Sequence, residues 1–382
     1  MSLLGLPRVI NAGAAQSRLG GSTLSRRVLE AMARASTEYV DIEALHDEVG
    51  RRLAEATGNE SAWVSAGSAA GVMVAVAATI AGPDPERAAA LPRSSERPDV
   101  AVWSGHLGGQ LAGADAWHPN DYLNSIAAGG GAVRVVEHPR ELDRADAAFV
   151  WFPGMFPHED EDGMLRLFAD AARQLGIPVV VDAADQVPPR SRLTDYTRVL
   201  GASLAVFSGG KGIGGPTSSG LVVGTAELVA ACRTNSGTEH GVGRTAKIGR
   251  EELLGLLAAV EEFLERDEDD EYAERLAVVN EWSTAFVAHR LAVYADPSGH
   301  CGQLVPRLLV RVPSGLRDCR DDVIGRLWDR SPRVAVLPAP GARIALSPQL
   351  LAPDEPPEVA RAVLESIAAH RSGCSDCSAD SA

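Results

Sequence analysis

Two kinds of hydrophobic pattern alternate along the first two thirds of the chain. "DIEALHDEVGRRLAEATG" places Ile42, Leu45, Val49 and Leu53 at helical spacing, and Gly58 suits the stop that follows. "EDGMLRLFADAARQLG" repeats that helical pattern and leads at once into the wholly apolar "IPVVVDAA". "DVAVWSG", "GAVRVVEH" and "ASLAVF" are also short and strand-like, and the helical "PNDYLNSIAAG" lies between the first two. "SAWVSAGSAAGVMVAVAATIAG" predicts a short strand, a Gly-Ser turn and a buried helix of small residues. Apolar strands alternating with helices predict an α/β fold whose parallel sheet is covered on both faces. "LAVFSGG" and "SGLVVG" lie about a dozen residues apart, too close for a helical crossover, so this pair is predicted to be antiparallel.

The pattern changes at "REELLGLLAAVEEFLE". Long helices follow, then the strands "LVPRLLVRV", "RVAVLP" and "ARIALS", with the helices "RDDVIGRLWD" and "PPEVARAVLESIAAH". This predicts an arm over 1–24, a large domain over 25–245, a small α+β domain over 246–372 and a disordered tail over 373–382. The acidic "EEFLERDEDDEYAER" is expected to be a solvated helix face and turn.

At 382 residues the chain can bury a large core, and 45% apolar with 23% charged residues is ordinary for a globular protein. No uncharged apolar run reaches about 18 residues, so no spanning helix is expected. The N-terminus has no secretory pattern, and five cysteines give no disulfide framework, so a cytoplasmic protein is expected. A net charge of -15 argues against nucleic acid and anionic membrane as partners. Cys374 and Cys377 form a CxxC without a second pair, and the nine histidines show no HxxxH or HExxH spacing, so no metal is expected.

Charge composition also singles out one residue. Only Lys211 and Lys247 are lysines; the remaining 34 basic residues are arginines. Lys211 sits in "FSGGKGIGGPTSSG", which is not a phosphate loop: Gly212 stands where Ser or Thr is needed, and Ala205 where the first glycine belongs. A lysine amine can instead form a Schiff base with pyridoxal 5'-phosphate (PLP). That site needs an acid for the ring nitrogen, an anion cradle for the phosphate, and a flat cover for the ring. Asp182, ending "IPVVVD", is the candidate acid, since strand ends in α/β sheets open into ligand crevices. Gly67, Ser68 and Ala69 form the candidate cradle at a strand-to-helix turn, joined by the Ser208 hydroxyl. His106 or His118 is the candidate cover.

"VVVDAADQVPP" followed by "GASLAVFSGGKGIGGPTSSGLVVG" resembles the fold-type I PLP-dependent enzymes, in the branch of bacterial selenocysteine synthase and D-glucosaminate-6-phosphate ammonia-lyase. The resemblance covers nearly the whole chain, with "VINAGAAQSRLGGSTLS", "HPNDYLNSIAAGGGAVRVVE" and "GRTAKIGREELLGLLAAVE" as further matching segments. It implies a mostly parallel seven-stranded sheet in a three-layer large domain, a small α+β C-terminal domain, and a homodimer or assembly of dimers. It makes Lys211 the Schiff-base lysine and Asp182 the partner of the ring nitrogen. Gln186 would lie beside the cofactor's 3-hydroxyl, Gly67, Ser68 and Ser208 would hold the phosphate, and His118 would cover the ring. Arg244 and Lys247 become candidates for substrate or phosphate anions, and Arg18 and Arg343 for a substrate carboxylate, which arginine's planar fork matches. "LGGQLAGADAW" departs from the pattern as an insertion between strand and helix.

The motifs open at "RVINAG", so the domain with which selenocysteine synthases grip tRNA is expected to be absent. A small amino acid or amino-sugar acid is the expected substrate, with β-elimination of the ammonia-lyase type or β-replacement as the reaction. An aminotransferase, aldolase or racemase, and a catalytically silent scaffold, are the alternatives on the same fold.

Overall fold

The computed structural model describes residues 3–93, 97–107, 123–154, 160–236, 240–312 and 317–373. His118, the "LGGQLAGADAW" insertion beyond its first residue Leu107, and Cys374 and Cys377 lie outside them. The chain divides into two compact units. One is Gly21–Arg266; the other joins Met1–Gly20, with its strand β1 (Val9–Asn11), to Asp267–Ala382.

The larger unit is built on seven strands: β2 (Ser61–Ser65), β3 (Asp99–Trp103), β4 (Ala132–Val136), β5 (Ala148–Trp151), β6 (Val179–Asp182), β7 (Leu204–Ser208) and β8 (Gly220–Gly224). Their order is β2-β8-β7-β6-β5-β3-β4. All neighbours pair in parallel except β8, which is antiparallel to both β2 and β7. The short link between β7 and β8 therefore does what its length predicts.

Side chains alternate between two cores. Phe149, Trp151, Val179, Val181, Ala205 and Phe207 enter one core, with Phe168, Leu256 and Phe263 from the helices. Val150, Val180, Val206 and Val222 enter the other, with Val72, Val76, Ile126 and Val229. The period of two thus covers both faces of the sheet, giving the three-layer α/β arrangement.

The unit ends at Arg266, whereas the sequence pattern drew the boundary at 245/246. Helix Arg250–Glu265 packs against helices Arg26–Thr37 and Ile42–Thr57, and its Leu253, Leu256, Leu257, Val260 and Phe263 belong to the larger unit's core. Arg27 also pairs with Glu261 and Glu265 across that contact. Periodicity shows that a helix has an apolar face but not which surface receives it.

In the smaller unit, β9 (Val293–Asp296), β10 (Arg307–Arg311), β12 (Leu337–Ala339) and β13 (Arg343–Leu346) form an antiparallel sheet in the order β12-β13-β10-β9. The arm's β1 pairs in parallel with β11 (Arg333–Ala335). "RVAVLP" is thus divided between two sheets rather than forming one strand. Helices Glu268–Ala288, Arg317–Asp329 and Pro356–Gly373 complete the unit, whose core includes Val279, Trp282, Phe286, Val323 and Val363. Asp267 caps the first of these helices, and four acids fill its first turn, of which Asp269 and Asp270 are exposed while Glu268 and Glu271 are half-buried. Among the described residues no helix is long and apolar enough to cross a membrane.

Candidate active site

The site is assembled at one edge of the larger unit's sheet, by register. Asp182 pairs with Val206 of the neighbouring β7. Ser208 pairs with Gly220, and Gly220 with Ser65. Strands lie about 4.8 Å apart, so Ser208, Gly220 and Ser65 form one row, and Asp182 lies beside Val206, two residues before Ser208. The side-chain alternation sends Asp182 to the face occupied by Val180, and Ser208 to that of Val206. Helix Ser68–Ala81 covers that face.

This helix can approach closely because it is made of small residues. A Cβ on Gly71 would lie 2.6 Å from Val206 and 2.8 Å from the Ser65 hydroxyl. Gly67 turns the chain into the helix with φ of 87°, a conformation glycine adopts without strain. No side chain caps the first turn, and the amides of Ser68, Ala69 and Ala70 have no hydrogen bond to the described residues. Space above Gly67 is open: nothing lies within 4 Å of where its Cβ would stand. Unpaired first-turn amides facing open space make an anion cradle.

Asp182 is buried at the end of β6, and one of its carboxylate oxygens accepts a hydrogen bond from the Ala184 amide at 3.2 Å. Burial pushes its carboxyl up to about 6, opposed by the charge of Lys211 and the Ala184 amide.

Close backbone packing carries the lysine to this edge. A Cβ on Gly212 would lie 2.0 Å from the Val187 carbonyl, which ties the lysine loop to the loop after Asp182. The Gly209 amide bonds the Ser219 carbonyl at 2.8 Å, and the Ser22 amide and hydroxyl both bond the Gly210 carbonyl. Lys211 Nζ then lies 3.6 Å from Asp185 Oδ2. The sequence pattern does not single out Asp185, although it stands in the same "VVVDAADQ" stretch as Asp182.

Other expected residues fall differently. Gln186 is buried, with its amide oxygen accepting from Tyr196 Oη at 3.0 Å and its amide nitrogen donating to the Pro153 carbonyl at 3.2 Å. His106 has no exposed surface: its ring stands edge-on to Trp151 at 4.1 Å and Trp103 at 5.0 Å. Its Nδ1 accepts from the Phe152 amide, and its Nε2 lies 3.8 Å from Glu161. A ring so enclosed offers no face to a cofactor; of the two histidines considered as its cover, the other, His118, is outside the described residues. Lys247 borders a small cavity with Ala66, His46, Trp63 and Ser236. Arg244 lies in the short turn Val242–Ala246. In the smaller unit, Arg18 bonds Gln16 and lies over Trp328, and Arg343 donates to the Pro340 carbonyl.

The donor set fits PLP. A buried carboxyl of raised pKa gains from a cationic ring nitrogen, the uncapped helix turn suits a phosphate, and Lys211 supplies an amine beside the turn that follows Asp182.

No family model matches the chain. It is 37% identical to a Streptomyces 5'-C-glycyluridine monooxygenase-decarboxylase over 72% of this chain and 67% of that one. It is 30% identical to the D-glucosaminate-6-phosphate ammonia lyase of Salmonella typhimurium over 81% of each. A solved D-glucosaminate-6-phosphate ammonia-lyase superposes with a TM-score of 0.76 at 26% identity, over 96% of this chain and 97% of that one. More distantly, Serratia proteamaculans L-seryl-tRNA(Sec) selenium transferase is 25% identical over 64% of this chain and 53% of its own. Serine palmitoyltransferase with bound PLP shares the fold alone, with a TM-score of 0.59 at 14% identity, over 95% of this chain and 88% of that one. The chain is therefore a PLP-dependent enzyme and belongs to the fold-type I family, in the branch of D-glucosaminate-6-phosphate ammonia-lyase and L-seryl-tRNA(Sec) selenium transferase.

Proposed function

We propose that this enzyme acts on a small amino acid or amino-sugar acid, removing its α-proton and expelling a group from the β-carbon. β-Elimination with release of ammonia is the favoured outcome, and β-replacement its close variant. The observation that carries this reading is Lys211 held 3.6 Å from the turn that follows buried Asp182, on a sheet that also bears an uncapped helix turn, in a chain 30% identical over 81% of its length to an ammonia lyase.

When bound, PLP supplies an aldehyde for a lysine amine and a ring that withdraws electrons. Lys211 would hold it by that amine, Asp182 by the ring nitrogen, and Gly67, Ser68, Ala69 and Ser208 by the phosphate. Gln186, fixed by Tyr196, would stand on the 3-hydroxyl side. Lys211 Nζ, once displaced by the substrate's amine, takes the α-proton. Asp182 remains ionised beside the ring nitrogen and keeps that nitrogen protonated. Lys247, Arg244, Arg18 and Arg343 remain candidates for substrate anions. A net charge of -15 favours a small substrate over tRNA. A cytoplasmic homodimer, or an assembly of dimers, completes the reading.

A second reading is favoured by the 37% identity to a monooxygenase-decarboxylase. In it the substrate is a glycyl nucleoside and the bond broken is the one to the α-carboxylate, with consumption of oxygen.

The PLP-loaded protein is incubated with glucosaminate 6-phosphate, β-substituted amino acids and a glycyl nucleoside, while ammonia, carbon dioxide and oxygen are followed. Ammonia without an amino acceptor and without oxygen uptake supports elimination. Oxygen uptake with carbon dioxide release supports the second reading. A requirement for an amino acceptor points to an aminotransferase and removes both. Borohydride must fix the cofactor covalently to the wild-type chain and not to Lys211→Ala; fixation to the variant contradicts the site.

A further inference from the structure

Asp182 is already assigned to the ring nitrogen, yet a second carboxylate from the same turn reaches the lysine. The turn after β6 is fixed by two backbone bonds, from the Gln186 amide to the Ala183 carbonyl and from the Ser208 amide to the Ala184 carbonyl. This fold-back sets Asp185 Oδ2 3.6 Å from Lys211 Nζ, with the Asp185 side chain 9% exposed and that of Lys211 22%. Two carboxylates therefore act on the amine, Asp185 from the turn and Asp182 from the strand end.

We propose that Asp185 is a positioning residue that sets the basicity of the Lys211 amine and keeps it aimed between the strand end and the turn. This rests on the reading of Lys211 as the cofactor lysine. An anion at this distance favours the ammonium form over the free amine. The amine that receives the substrate's α-proton is thus favoured as an ammonium. The α-proton passes to Nζ, and from Nζ to the atom that departs from the β-carbon with the bonding electron pair.

The test exploits the chain's two lysines. The full chain, freed of cofactor, is treated with an amine-acylating reagent across a pH series, and mass spectrometry follows Lys211 and Lys247 separately. Asp185→Asn is expected to lower the labelling midpoint of Lys211 by about one to two pH units and leave that of Lys247 in place. Asp185→Glu is expected to restore part of the shift. Asp185→Ser carries the comparison should Asn unfold the turn, as read by near-UV circular dichroism. An unchanged Lys211 midpoint in a folded charge-removing variant overturns the proposal. Borohydride trapping of PLP on the wild-type chain tests the underlying reading independently. Attachment to a residue other than Lys211 sinks that reading while leaving the labelling result standing.

Discussion

Replacing Asp182 by asparagine is expected to stabilise the cofactor-free chain at neutral pH, although it damages the site. The carboxyl has an ordinary value of 3.8, and in the folded protein burial pushes it up to about 6. Between those two values the folded state holds a proton that the unfolded chain has released, so stability falls as pH rises. The difference of about 2.2 units corresponds to roughly 3 kcal/mol, fully expressed above pH 6 and absent below about pH 4. The asparagine side chain cannot ionise, and its amide oxygen can still accept from the Ala184 amide. Urea unfolding of the cofactor-free wild type and Asp182→Asn over a pH series measures the effect. The two curves should coincide in acid and separate by about 2–3 kcal/mol at pH 7, with the variant more stable. Bound PLP should narrow or reverse the gap, because the cationic ring nitrogen supplies the charge that the buried carboxylate lacks. A variant equally stable at pH 7, or destabilised there, would refute the claim that Asp182 is held at an electrostatic cost for the cofactor.

Two further outcomes follow from the geometry. Gly220→Ala would put a methyl group 2.5 Å from the Ser65 hydroxyl and 2.7 Å from the Gly67 carbonyl carbon. The hydroxyl can rotate but the backbone cannot, so the cradle must shift; PLP affinity by absorbance titration should fall about tenfold or more, and an unchanged affinity would remove Gly67 from the phosphate site. Arg134→Ala leaves the Asp146 carboxylate, 1% exposed, without the guanidinium that now pairs with it. Unfolding free energy should drop by about 2–4 kcal/mol, less than for a fully enclosed pair because Arg134 itself is 28% exposed; a loss under about 0.5 kcal/mol would mean that Asp146 is adequately served by the Asp143 amide.

Much of the candidate site is legible in the sequence because its signals are local. A rare lysine in a glycine run, an acid closing an apolar strand, and a Gly-Ser turn before a small-residue helix each follow from a few consecutive residues. Asp185 is not legible, because its role depends on how a four-residue turn folds back onto the next strand. His106 follows a strand end much as a site residue would, but the two tryptophans that enclose it come from β3 and β5. Strand β5 itself, "AFVW", escapes the pattern: four residues after the polar "RELDRADA" are too few to show a period. The limits of helix Arg250–Glu265 are plain in the sequence, yet its membership of the larger unit is decided by tertiary packing alone.

The reversed strand β8 has a consequence for how this scaffold can diversify. Because β8 runs against its neighbours, the segment that leaves β7 returns to the sheet at the same rim, and both of its ends are anchored in the register Ser208–Gly220. Residues gained or lost between those anchors would reposition the Lys211 amine relative to Asp182 without re-threading any strand. Length variation there is thus a route by which descendants of one ancestor could acquire different bond-breaking preferences while retaining the same framework.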